Sequence, residues 1–172
     1  INPDEQLILY RELYVSKVLA TDLAEMVLDL ESDDGNIKYG VLDSSLWHKR
    51  GDTGPSLAEQ MIQRGCRWRP SDRTPRSRVA GKLELHKRLR PDEETGYPSL
   101  FIFDNCINLI RTMPMLPVDK NNPEDVDTHA EDHAYDALRY GIMSRPRFSV
   151  FDYDPASRQT NNMPVADATF GY

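Results

Sequence analysis

The sequence predicts an α/β domain with parallel strands, because short apolar segments of strand length alternate with segments whose apolar residues keep helical spacing. Gly, Pro and capping residues punctuate nearly every junction between them. At 172 residues the chain accommodates one domain with a tail and can bury a core.

The elements follow in order. Asn2-Pro-Asp-Glu5 reads as a turn, and Leu7 to Val15, rich in β-branched and aromatic residues, as a strand. A turn at that point implies a preceding strand that the sequence does not include. Ala20 to Glu31 is an amphipathic helix with Thr21 as its expected cap and Leu23, Val27 and Leu30 on one face. Tyr39 to Leu42 is a short buried strand that delivers Asp43 at its C-terminal end, the edge where open α/β sheets bind ligands. Ser56 caps a helix running to about Arg64; Glu59 completes a capping box and Gly65 ends the helix. Cys66 to Arg69 is a short strand closed by Pro70. Pro75 to Arg90 begins as an Arg-rich turn and becomes a helix with Val79, Leu83, Leu85 and Leu89 as its apolar stripe. Ser99 to Phe103 is a strand, and Asn105 to Met113 a helix stopped by Pro114. A polar loop from Asp119 to Glu131 leads to a last helix, His133 to Met143, with Ala134, Ala137, Leu138 and Ile142 inward. Periodicity is lost after Arg145, so residues 1–146 form the expected domain and 147–172 a flexible tail.

A hydrophobic fraction of 39% excludes disorder across the whole chain. No stretch is long and apolar enough to span a bilayer, and the N-terminus lacks the pattern of a signal peptide. The missing initiator Met points to an excised fragment. Cys66 and Cys106 form no Cys-x-x-Cys pair, which argues for reduced thiols near a core over a zinc site.

Net charge is −7, yet its distribution matters more than its sum. Bases crowd Arg64 to Arg90, where Asp72 and Glu84 are the acids between them. Acids crowd Glu124 to Asp136. A basic stretch beside an acidic cluster suits a metal-dependent phosphodiesterase, one surface for phosphates and the other for cations. The competing reading is a solvated helix face and an acidic loop.

Asp43, held after a buried strand, and Asp136, on the last helix, are the carboxylates best placed for chemistry. Asp132 and Asp136 share a helical face, and His133 neighbours Asp136. Like charges at that spacing repel, so a divalent cation or a basic residue would relieve the cost. Hard oxygen ligands select Mg²⁺ or Mn²⁺ over zinc, and a pair of such ions can activate water in phosphodiester hydrolysis. Taken singly, Asp43 reads more readily as a turn or cap residue, and Glu131-Asp-His133 as a dipole arrangement at a helix N-terminus. Trp47 and Trp68 read as packing residues.

Read together, the motifs carry a resemblance. Asp43-Ser-Ser-Leu-Trp-His-Lys-Arg-Gly-Asp-Thr-Gly-Pro-Ser-Leu-Ala-Glu59, Phe101-Ile-Phe-Asp-Asn-Cys-Ile-Asn-Leu-Ile110 and, most specifically, Glu124-Asp-Val-Asp-Thr128 followed by Asp132-His-Ala-Tyr-Asp-Ala-Leu-Arg-Tyr140 resemble the nuclease domain of bacteriophage terminase large subunits. Leu9 to Val15 looks like that family's third strand, and the resemblance covers roughly residues 7–145.

The resemblance implies an RNase H-like fold, a mixed sheet flanked by helices. It implies an endonuclease that cleaves double-stranded viral DNA concatemers during genome packaging, using two Mg²⁺ or Mn²⁺ ions. Asp43 and Asp136 would be catalytic metal ligands, His133 an auxiliary group near the metals, and Asp132 a supporting or alternative ligand. Arg76, Arg78 and Lys82 are the candidates for DNA backbone contacts, although an Arg-rich helix also packs against acids of its own protein. Implied partners are an upstream terminase ATPase domain, the portal protein and the small terminase subunit, in the host cytoplasm and without a membrane. The family's first-strand Asp has no counterpart here, and no Gly-x-x-x-x-Gly-Lys-Ser/Thr loop is present for ATP. The alternative function is a module that docks on DNA or the portal while cleavage depends on other residues. An RNase H-like junction resolvase or transposase would share the chemistry.

Overall fold

A computed structural model describes residues 6–35, 37–49 and 54–144, and every structural statement below concerns these. The tail expected from 147 onward lies outside them.

The described chain is mixed α/β, in the order β1 (Leu7–Leu9), α1 (Ala20–Glu31), β2 (Gly40–Leu42), a 3₁₀ turn (Ser44–Trp47), α2 (Leu57–Gln63), β3 (Trp68–Pro70), α3 (Ser77–Leu89), β4 (Leu100–Ile102), α4 (Ile107–Thr112), a 3₁₀ turn (Met113–Met115) and α5 (His133–Met143). The alternation and the parallel pairing match expectation, but the strands form two separate sheets. β1 pairs with β4, Leu7 opposite Leu100, and β2 pairs with β3, Gly40 opposite Trp68.

Each sheet has its own core. Leu85, Leu100, Val126, Tyr135 and Ile142 pack beneath β1 and β4. Ala24, Met61 and Cys66 pack with Leu42 and Trp68 beneath β2 and β3. The capping box at Ser56 and Glu59 is formed, with Glu59 N–H to Ser56 Oγ at 3.2 Å and Ser56 N–H to Glu59 Oε2 at 2.6 Å. Gly65 ends the turn after α2 at φ +110°.

Several local expectations are corrected. The first strand stops at Leu9, because its partner β4 ends at Ile102 and the last ladder bond, Phe103 N–H to Leu9 O at 2.9 Å, closes the pair. Leu19, not Thr21, occupies the N-cap of α1; the Thr21 hydroxyl bonds Asp22 instead. Leu83 points outward at 66% exposure, since α3 turns Gly81, Leu85 and Arg88 inward. Ala137 is exposed, and the buried positions of α5 are Tyr135, Arg139 and Ile142. α4 ends at Thr112, close to the stop expected at Pro114, which sits within the 3₁₀ turn that follows.

Two arrangements position the site. Glu12, beyond β1, caps α4 from a distance: its carboxylate accepts from the N–H groups of Asn108 at 2.9 Å and Leu109 at 2.8 Å. At the meeting of α3 with α5, Gly81 provides the room, because a Cβ there would lie 2.5 Å from Arg139 Cγ and 2.8 Å from Cδ.

The facing edges of β1 and β2 stay open. Leu7 N–H bonds Ser99 O at 2.8 Å and Gly40 N–H bonds Arg67 O at 2.8 Å. In parallel ladders of this register, the backbone groups of Ile8 and Val41 therefore turn away from β4 and β3. Both residues line one groove of about 620 Å³, which Ala134, Leu138 and Ile142 of α5 also line.

Candidate active site

The site lies where β2 ends against α5. The helix runs antiparallel to β2: Tyr39, before the strand, bonds Ser144 O at 3.2 Å, while Asp43, after it, meets Tyr140 one turn earlier. Asp43 opens the 3₁₀ turn, and its Oδ1 accepts from Ser45 N–H at 2.7 Å. The cap reading of Asp43 is thus met by one oxygen. The other, Oδ2, accepts from the Tyr140 hydroxyl at 2.9 Å, across 97 residues of sequence. The same hydroxyl lies 3.4 Å from Asp136 Oδ2, one helical turn away on α5. The two predicted carboxylates therefore converge on one phenol.

Their charge is balanced from α3 and α5. Arg139, only 3% exposed, reaches Asp136 Oδ1 through Nε at 3.0 Å and Nη2 at 2.9 Å, and its guanidinium lies 4.5 Å from the centre of the Tyr140 ring. Arg78 reaches Asp136 Oδ2 through Nη1 at 3.2 Å and Asp125 Oδ2 through Nε at 2.8 Å, with Asp132 Oδ2 4.0 Å from its Nη2. Arg78, predicted to contact DNA, is thus engaged with three acids of its own chain.

Acidities follow this wiring. Burial pushes the Asp43 carboxyl up, but the bonds from Ser45 and Tyr140 and the charge of Arg73 outweigh it and hold the group below the ordinary range. Asp125 follows the same pattern, burial being overcome chiefly by the bond from Arg78. Burial and the two neighbouring carboxylates raise the Tyr140 hydroxyl well above its usual value, so it stays a proton donor. Asp132 differs. Burial, then the charge of Asp136, push its carboxyl up. It takes the N-cap position of α5, where its charge faces the helix N-terminus as the dipole reading has it, without a side-chain cap bond.

The remaining predicted residues are more peripheral. His133 is exposed, with Nδ1 3.6 Å from Asp132 Oδ1. Lys82 donates to the backbone carbonyl of Asp125 at 3.3 Å. Arg76 is exposed at the N-cap of α3 in a left-handed conformation, φ 67°. Elsewhere the basic stretch pairs partly with its own protein: Arg64 with Glu25, Arg88 with Glu84, and Arg73 with His48.

Sequence reasoning assigned no role to Tyr140, Arg139 or Asp125. The first two carried a signal in their spacing from Asp136, four and three residues along one helix. Asp125 lay within the acidic motif, but only the return of the loop places it beside Arg78.

The donor set suits a hard divalent cation. Mg²⁺ is commonly held by one or two carboxylates, with water and substrate phosphate completing the shell, and Asp43 and Asp136 present such a pair. Among the described residues no group of three or more His, Cys, Asp and Glu side chains is arranged to hold a metal ion. No helix among them is long and apolar enough to cross a membrane. No family model, no curated protein and no solved structure matches the chain.

Proposed function

We propose that the chain is the metal-dependent nuclease domain of a terminase large subunit, RNase H-like in fold, cutting double-stranded DNA with little sequence preference during viral genome packaging. The observation that carries this reading is the convergence of Asp43 and Asp136 on the Tyr140 hydroxyl. Two carboxylates far apart in sequence meet at the C-terminal end of a parallel strand, the edge where open α/β sheets bind ligands, and this supports the reading.

Asp43 and Asp136 are the residues that would hold Mg²⁺ or Mn²⁺, with Asp132 behind them. Bound there, the ions would supply Lewis acidity and a water of lowered pKa. The chain's own groups do the rest. Tyr140 donates to Asp43 and lies against Asp136, Arg139 locks the orientation of Asp136, and Arg76 and Lys82 are the bases assigned to phosphate contacts. The ATPase domain, portal protein and small terminase subunit are the partners this reading entails.

Conversion of supercoiled plasmid to nicked and linear forms in Mn²⁺ tests it. Cutting by the chain, or by a longer chain with additional upstream sequence, is expected to fall to background in both Asp43→Ala and Asp136→Ala. Equal cutting with both acids removed would sink the assignment. The docking-module reading would then lead; the observation in its favour is that arginines already neutralise Asp136.

A further inference from the structure

The carboxylate proposed as a cation ligand is already held by two arginines. Its two oxygens offer about four acceptor positions. Arg139 Nε and Nη2 take those on Oδ1, and Arg78 Nη1 at 3.2 Å takes one on Oδ2, which the Tyr140 oxygen, its proton directed at Asp43, neighbours at 3.4 Å. An ion held between Asp43 and Asp136 would sit on Oδ2, where the groups around that oxygen compete with it. Arg139 is held by burial and by the close passage of its stem over Gly81. Tyr140 is held by its shorter bond to Asp43, 2.9 Å. Arg78 is the donor free to go. Its side chain is 30% exposed, its Nη2 is buried without a hydrogen-bond partner, and its Nε bond to Asp125 leaves a pivot about which the guanidinium can swing.

We propose that Arg78 is the resident counter-cation of this site, and that a divalent ion fills it by displacing the Arg78 guanidinium from Asp136 Oδ2. The inference rests on the reading of Asp43 and Asp136 as cation ligands and adds to it the group that sets their affinity. A fixed positive charge among Asp125, Asp132 and Asp136 keeps the acids compatible with a folded protein when no ion is bound. It also raises the ion concentration at which the site fills. Arg78 thus opposes the cation, and its removal has the opposite sign from removal of a ligand.

The test is calorimetric titration of Mn²⁺ into the full chain and into Arg78→Gln, Lys82→Gln and Asp136→Asn. Arg78→Gln is expected to bind Mn²⁺ roughly tenfold tighter. Lys82→Gln, which removes one charge from the same helix but no contact to Asp136, should change affinity less than about threefold. Arg78→Lys keeps the charge but is too compact to bridge Asp125 and Asp136 together, so it should fall between and serves if the glutamine variant does not fold. Affinity unchanged or weakened in Arg78→Gln, with binding still lost in Asp136→Asn, overturns the inference and leaves the site intact. Equal tightening by Lys82→Gln also overturns it, because a diffuse field would then explain the effect. Binding that Asp136→Asn does not alter overturns the site and the inference together.

Discussion

Along α5, one flank meets α3 and the end of β2 through charge, and the other faces the groove between β1 and β2 through Ala134, Leu138 and Ile142. On the charged flank Asp43, Asp136 and Arg139 are tied by hydrogen bonds, and the packing is close enough to require Gly81. On the groove flank the backbone groups of Ile8 and Val41 turn away from their ladder partners, and Ile8 is 46% exposed. The difference teaches where this domain is rigid. Direction-dependent bonds fix the carboxylates within narrow limits, whereas an apolar groove of about 620 Å³ fixes little.

Breaking the charged flank should cost most. Arg139→Ala leaves Asp136 buried beside a cavity at Gly81, and stability should fall by about 3 kcal/mol. The check is a lower midpoint of urea unfolding at unchanged slope. On the groove flank Leu138→Ala should cost about 1 kcal/mol, below the range for a fully buried leucine, because Leu138 is only partly buried. Equal costs would mean that the groove flank is packed as firmly as the charged one, and the contrast would fail.

The same contrast marks what was legible beforehand. The bounds of α1 and α5, the capping box at Ser56 and the delivery of Asp43 by β2 follow from local signals, and all appear in the structure. Local signals fail where a distant partner decides. Strand length at Leu9 is set by where β4 ends, and the division into separate sheets by edges that find no neighbour. The α4 N-terminus is served by Glu12 from about a hundred residues away, which no capping rule finds. The inward face of α5 was read only in part: Ile142 and Leu138 pack on the core as expected, Ala137 does not, and an apolar stripe misses Arg139. Arg139 is buried there by virtue of Asp136, a charge pair that hydrophobic periodicity cannot report.

The smallest expected effect separates structure from function on the charged flank. Asp132 is 6% exposed, and the nearest basic side chains, Arg78 at 4.0 Å and His133 at 3.6 Å, lie beyond hydrogen-bonding distance. Its carboxyl is raised, by burial first and by Asp136 second. A carboxyl raised on folding contributes fully below its unfolded value, about 4 for Asp, and loses that contribution as pH rises through the folded value. Asp43 and Asp125 run the other way: both are lowered, so they stabilise above that unfolded value and lose the effect as pH falls through their folded values. Asp132→Asn should therefore match the parent in strong acid and exceed it by about 1 kcal/mol at neutral pH, the low end of the cost of a poorly paired buried polar group. Thermal melts across pH read this directly. Saturating Mn²⁺ sharpens it. If Asp132 faces the cation, the ion repays its burial and the variant loses its advantage; if the advantage persists, Asp132 stands outside the site and the working carboxylates are Asp43 and Asp136 alone.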